Sequence, residues 1–365
     1  MILHIYIARR FLRSFAIVIG VFISILLPID LAEQLSKIGR PEAGLSAAFE
    51  LALLNLPGTL YEMLPLFIML ATLFLFLGLA RTSELVVVRA AGRSALRSTM
   101  SPVLVAVLLG ILGVLVVNPI VAATERQYLQ SISRFQTGEA RTLSVSAEGL
   151  WLRQGTEAQQ TVIRADHSNA DGTALRHASF FVFDDQGSLQ QRIDAGAARL
   201  ELGAWALEDV KIWPLAGSPN PEAEAETMAS HSLPSTLTRE QIRDSFGSPT
   251  TVPIYELPQF IQQLNRAGFT ALPHRVWMQM ELSNPLMMAA MVLIAAGFTM
   301  RHIRFGKTGI MVLSAILLGF GVFFIRSFAQ VLGETGQLPI VVVAWTPPLA
   351  AIFLALGLLL HTEDG

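Results

Sequence analysis

A chain of 365 residues with 52% hydrophobic and only 15% charged side chains, and a mean hydropathy of +0.52, lies outside the range of a soluble enzyme. Its formal charge of −2 argues against a nucleic-acid partner. The absence of cysteine excludes a disulfide scaffold and Cys-based zinc sites.

The charges that are present avoid long stretches. The first predicted span, 11–32, holds an uncharged run between Arg13 and Asp30, both near enough to its ends to snorkel. Arg9, Arg10 and Arg13 ahead of that run mimic a signal peptide, but Leu-Pro-Ile-Asp-Leu-Ala-Glu offers no small-x-small cleavage site, which favours an uncleaved anchor. Uncharged runs at 63–80, 98–124, 282–300, 308–325 and 335–360 approach or exceed the ~20 residues a helix needs to cross a bilayer. Six transmembrane helices in a three-plus-three arrangement follow, 1–124 and 276–365.

Short loops set the orientation. Arg9, Arg10 and Arg13 precede the first helix, Arg81, Arg89, Arg93 and Arg97 lie between the second and third, and Arg301, Arg304 and Lys307 between the fourth and fifth. The opposite side has Lys37 and Arg40 in one loop, offset by Asp30, Glu33 and Glu42, and no basic residue in 333–339. The positive-inside rule puts both termini in the cytoplasm and the domain between the third and fourth helices outside.

Between 125 and 275 the pattern turns to short, partly alternating segments at 148–153, 161–166, 178–184, 189–194, 198–202 and 204–213, separated by turn residues such as Asn169 to Gly172 and Asp184 to Ser188. These predict an all-β domain, a sandwich, jelly roll or open sheet. The stretch 218–234, rich in Pro, Ala, Glu and Ser, reads as a loop. An amphipathic helix over 256–267, stopped by Gly268, leads back to the membrane. His167, His177 and His231 fall in different segments without ligand spacing and read as surface histidines, so neither a metal nor a cofactor is expected. An exposed strand edge that accepts a strand from another β-protein is the use this domain suggests.

Phe305-Gly306-Lys307-Thr308 ends like a P-loop, but Arg301 stands where the first glycine belongs, so energy must come from a partner or an ion gradient. The loop over 82–94 has a helix of its own: Thr82 or Ser83 caps it, Glu84 suits its first turn and Gly92 its end. It reads equally as a helix that seats in a motor protein and as a surface helix joining two spans.

Taken in order, the basic anchor, Ser83-Glu84-Leu85-Val86-Val87-Val88-Arg89-Ala90-Ala91-Gly92, Gly149-Leu150-Trp151-Leu152-Arg153, Glu256-Leu257-Pro258 with Gly268, and Pro285 resemble the lipopolysaccharide export permeases of the LptF/LptG family, end to end. The Gly149 to Arg153 stretch is nearer the LptG branch. The resemblance implies a non-catalytic permease subunit of an ABC exporter in the bacterial inner membrane, with a periplasmic jellyroll-like β-domain. An LptF–LptG heterodimer would sit on two copies of the ATPase LptB. Lipopolysaccharide would pass from the membrane through the β-domains and LptC to the LptA bridge. It also implies that Glu84 occupies the acidic position of the coupling helix docking into LptB, with Leu85, Val88 and Arg89 beside it.

Phosphates on lipid A call for cations at the outer face. Lys37, Arg40, Arg126, Arg134 and Arg326 are the candidates by position, each weighed against simple snorkelling. Phe22, Phe67, Phe74, Phe320, Phe323 and Phe324 read as acyl-cavity lining or as helix packing, and Gly110–Gly113 and Gly319–Gly321 do not form GxxxG. A permease of the same layout for another lipid and a membrane-anchored β-scaffold remain as alternatives. An ion-coupled transporter is disfavoured by the scarcity of acidic residues in the spans.

Overall fold

The computed structural model describes residues 2–38, 44–90, 94–137, 144–146, 149–156, 159–169, 172–184, 187–217, 219–235, 237–238, 242, 248–266, 268–300 and 308–363. The chain divides into two compact units, one made of Met1–Gln136 with Leu272–Gly365 and the other of Thr137–Ala271.

The first unit is helical. It contains α1 (Ile2–Ile38), α2 (Gly44–Glu62), α3 (Leu64–Arg81), α4 (Glu84–Ala90), α5 (Ala95–Leu112) and α6 (Asn118–Thr137), then α8 (Leu272–Thr299), α9 (Thr308–Glu334) and α10 (Ile340–Glu363). Six helices among the described residues are long and apolar enough to cross a membrane, and they are the six that the uncharged runs mark. One of them is α5 continued into α6 through a π-helical turn at Gly113–Val117. That helix does not stop where the uncharged run ends at 124. It continues to Thr137 by changing from an all-apolar to an amphipathic surface.

An unforeseen helix is α2, hidden from a hydropathy reading by Glu50 and Glu62. Its Ala48 and Leu51 pack with Ile38 of α1 and Tyr128 of α6. Met63 joins it to α3. The amide of Met63 still donates to the Thr59 carbonyl and the amide of Phe67 to the Met63 carbonyl, so hydrogen bonding carries across the junction. Pro65, which has no N–H to give, falls in the first turn of α3, where a helix tolerates it.

The bundle is built around α8. Of the residues in its most apolar stretch 78% are buried, against 6% in α1 and 11% in α9. Close approach to α8 needs small residues. A Cβ on Gly110 of α5 would lie 2.7 Å from the Pro285 Cα and 3.0 Å from the Met288 sulfur, and a Cβ on Gly319 of α9 would overlap the Met69 sulfur of α3. Both glycines therefore serve packing within the chain. Of the six candidate phenylalanines, Phe67 is fully buried with its ring 4.6 Å from that of Phe22 at a tilt of 43°, whereas Phe74, Phe320 and Phe324 are exposed.

The second unit holds one antiparallel sheet whose strands lie in chain order: β1 (Ser144–Ser146), β2 (Gly149–Thr156), β3 (Gln159–Ser168), β4 (Ala174–Phe183), β5 (Leu189–Glu201), β6 (Ala204–Pro214) and β7 (Glu226–Pro234). Two expectations are corrected. The segments 189–194 and 198–202 are a single strand, and half of the expected loop 218–234 is β7. The alternation in β5 is broken by a row of irregular positions. His177 (φ 50°), Gly196 and Asp209 (φ 52°) lie opposite one another, skipped by the register of β4, β5 and β6. This is how extra residues are absorbed across neighbouring strands, and it shifts which side chains face in. The strand β7 carries no apolar alternation because it is an edge, and among its side chains only Leu233 is buried.

One face of the sheet buries Ile163, Phe180, Ile193, Trp205 and Leu207. The indole N–H of Trp205 donates to Gln154 Oε1 at 3.2 Å, which settles its one polar atom. The other face is charged and aromatic: Arg192 lies over Phe181 and Trp213 while its guanidinium grips Asp194 at 2.9 and 2.7 Å. The helix α7 (Leu257–Arg266) follows, burying Leu257, Ile261 and Leu264. Gly268 ends it at φ +89°, and a Cβ there would overlap the Ser168 carbonyl, so no other residue fits.

Gly110→Ala is expected to push α5 from α8 and cost about 1–3 kcal/mol. Thermal unfolding in detergent should show a lower midpoint for it and none for Gly357→Ala, where nothing lies within 4 Å of the added carbon.

Candidate functional site

Polar groups inside a helical bundle must find partners within it. Among the described residues of the first unit, three groups of such side chains, or nodes, link separate helices. The first lies at the end that carries the N-terminus. The helix α3 ends at Arg81, Thr82 and Ser83 make a two-residue link, with Ser83 at φ 58°, and α4 begins at Glu84. The Glu84 carboxylate accepts at Oε1 from Arg10 Nη1 (2.7 Å) and from the Thr82 hydroxyl (2.7 Å), and at Oε2 from the Tyr6 hydroxyl (2.7 Å). Arg10 also donates to the Tyr6 oxygen at 2.5 Å and stands 5.8 Å from its ring centroid. The Thr82 hydroxyl, and after it the Arg10 guanidinium, hold the Glu84 carboxyl at about 2, below the ordinary 4.5. Behind it Leu85 and Val88 line a small apolar cavity with Leu3, Ile7, Phe76 and Leu79. Val86 and Val87 point away and are 66% and 68% exposed.

The second node lies toward the other end of α1. Asp30 Oδ1 accepts from Gln34 Nε2 (2.9 Å) and Asn55 Nδ2 (3.0 Å), and the Tyr128 hydroxyl donates to Gln34 Oε1 (3.2 Å). Three helices, α1, α2 and α6, are joined by four side chains. Lys37 pairs with Glu33 at 2.7 Å and reaches the Tyr128 hydroxyl, so the structure attaches this candidate cation to the rim of the network.

The third node is buried between α2, α8 and α9. The Tyr61 hydroxyl donates to Glu281, which is 1% exposed, and Asn284 bonds Tyr61 one turn along α8. Arg326 of α9 is in electrostatic contact with Glu281, Tyr61 and Glu62. The candidate cation on α9 thus has acidic company. Sequence reading missed Glu281, which sits just outside the uncharged run 282–300. A carboxylate bordering a span, one helix away from an unexplained arginine in another, was the available signal.

The remaining candidates are scattered. Arg126 is exposed on α6, two residues before Tyr128. Arg89 and Arg134 lie in α4 and α6, but their side chains fall outside the described residues, as do Arg40, Gly92 and residues 305–307 of the P-loop look-alike. Lys37 belongs to the second node and Arg326 to the third, and α2, which supplies Asn55 to one and Tyr61 to the other, is what they share.

The family model for the lipopolysaccharide export system permease LptF/LptG matches residues 5–361. Two relatives, the lipopolysaccharide export system permease proteins LptG of Escherichia coli K12 and of an Escherichia coli O6:H1 strain, are each 24% identical over 351 residues, 96% of this chain and 93% of theirs.

Because folding lowers the Glu84 pKa, the first node is fully present above about pH 4.5 and is lost as pH falls toward 2. The carboxylate infrared band that disappears in Glu84→Gln should titrate in that window. Tyr61→Phe removes the hydroxyl donated to a buried carboxylate and is expected to cost about 1–3 kcal/mol in thermal unfolding.

Proposed function

Since the chain belongs to the LptF/LptG family of lipopolysaccharide export system permeases, we propose that it is a permease subunit of an ABC exporter that takes lipopolysaccharide from the inner membrane and passes it to a periplasmic β-bridge. The family match over nearly the whole chain carries this reading. It is supported by the six spans and the inserted sheet, which give the layout such a subunit needs.

In this reading the energy comes from a partner ATPase, the LptB dimer, which meets the chain at α4. The exposed Val86 and Val87 are the apolar surface that α4 offers, while Leu85 and Val88 face the bundle. A sister permease, LptF, closes the other half of the substrate cavity. The thinly covered α1 and α9 are the helices with apolar surface left for it and for acyl chains. Both termini and α4 are cytoplasmic by the loop charges, and 137–271 is periplasmic, where LptC and the LptA bridge accept the cargo. The phosphorylated headgroup is met by Lys37 and Arg326, with Arg40, Arg126 and Arg134 as further cations on the same side.

The reading is tested by co-expression with the ATPase and sister permease and by light-triggered crosslinking to lipopolysaccharide. A stable complex is expected from the native chain. Val86→Asp with Val87→Asp should remove the ATPase from it, since a charge on each exposed valine opposes an apolar contact. Arg326→Ala should leave the complex intact and lower the lipopolysaccharide crosslinking yield. A complex indifferent to the valine pair would refute docking through that face.

A further inference from the structure

The third span is one helix made of two unlike halves. Its first half, α5, is seated on α8 through Gly110, where a Cβ would stand 2.7 Å from the Pro285 Cα. Its second half, α6, is held more loosely: no described helix lies as close along it as α8 lies along α5. Between the halves, the turn from Gly113 to Val117 is wider than an α-helical one. The Asn118 amide donates to the Gly113 carbonyl, five residues back instead of four. We propose that this turn is a swivel. By giving up its extra residue to the regular helix, it lets α6 rotate by about 100° on its axis while α5 stays on α8.

Burial along the span tells what the extra residue does. Ala106, Gly110, Gly113 and Val114 are buried on one side of the wide turn, and Asn118, Val121, Ala122 and Tyr128 on the other. At 3.6 residues per turn, an unbroken helix would set the second group roughly a quarter turn away from the first. The wide turn brings both groups onto one face and leaves Leu115, Val116 and Val117 exposed.

The same chain has a second arrangement, in which every backbone bond of the span is α-helical. There α6 is advanced by one residue, and Gln127 takes the place of Tyr128. A wide turn is a rare form of helix. It is held here by the burial of Asn118 and Val121 and by the Tyr128 hydroxyl on Gln34, contacts that the second arrangement gives up. Regular backbone bonding on one side and side-chain burial on the other make the element bistable.

Gly113 keeps the pivot clear. A Cβ there would meet the Tyr61 ring at 3.4 Å and Leu64 at 3.7 Å. Since the Tyr61 hydroxyl donates to Glu281, the pivot borders the third node. Arg126 and Arg134 belong to α6, whose last residue, Thr137, is also the first of the second unit. Rotation therefore re-aims two candidate cations where the chain enters the insert, and leaves the contact of α5 with α8 in place.

A deletion separates a swivel from a fixed irregularity. Removing Leu115 makes the span an unbroken α-helix with both buried groups still on one face, so the fold is kept and the second arrangement is lost. The variant is compared with the native chain in vesicles holding the full exporter and lipopolysaccharide. It should keep complex yield and thermal midpoint and lose at least about tenfold in lipid released per ATP. Leu115→Ala keeps the extra residue and should stay within about twofold of the native chain. Normal release by the deletion overturns the proposal. So does a deletion that no longer assembles, because the residue is then not surplus to the packing.

Thiol labelling reads the rotation itself. The chain has no cysteine, so Gln127→Cys and Tyr128→Cys each introduce a single thiol. At rest Gln127 is exposed and Tyr128 buried, so a water-soluble maleimide should label the first variant and spare the second. During ATP turnover the Tyr128→Cys thiol should gain reactivity and the Gln127→Cys thiol lose it, and deletion of Leu115 should abolish the exchange. Reactivity that turnover leaves unchanged at both positions overturns the proposal. The inference rests on the permease reading for its turnover conditions. A native complex that releases no lipid with ATP refutes that reading instead, and is seen before any variant is made.

Discussion

Apolar side chains gain nothing from leaving lipid for a protein interior, so the bundle is held by close contact instead. That constraint explains α8. Its inner stretch is rich in Met, Ala and Gly, and its neighbours reach it through glycine, with Gly110 against Pro285 the tightest case. Long apolar side chains at those positions would keep the helices apart and forfeit the dispersion contacts that replace the hydrophobic effect. Two of the other spans show the reverse. Helices α1 and α9 keep many of their large side chains on the outside, among them Ile17, Ile29, Leu317 and Phe324.

Polar nodes add what packing cannot, which is direction. Each consists of a carboxylate with donors from other helices: Glu84 with Tyr6 and Arg10, Asp30 with Asn55, Glu281 with Tyr61. The buried Asp30 and Glu281 cannot slide along an apolar surface without losing a bond in surroundings that supply no substitute, whereas Glu84 is partly exposed. They fix the register of α1 against α4 and α2, and of α2 against α8. In the proposed permease reading, Lys37 beside the second node and Arg326 beside the third are the cations offered to an anionic lipid.

What was legible in the sequence is what local composition decides. Uncharged runs mark the six spans because the bilayer demands about the same length of each. The change to short alternating segments marks the β-insert for a similarly local reason. The helix α2 escaped because Glu50 and Glu62 break its run, although its tyrosine and asparagine face polar partners within the bundle. The strand β7 escaped because an edge strand needs no apolar alternation, only the partner β6. The site itself was least legible. Glu84 was singled out, but Arg10 lies 74 residues away in sequence and Tyr61 lies 220 from Glu281, separations that no periodicity reports. Their pairing is a property of the packed bundle.

The order of the chain has a cost in biogenesis. The helix on which the others pack is the fourth span to be made, and the whole of 137–271 is synthesised before it. Until then the Gly110 face of α5 lacks Pro285 and Met288, and the first three spans wait in the bilayer without the helix they close on. Its assembly is therefore a late, long-range event, the kind that is slow and exposed to wrong partners.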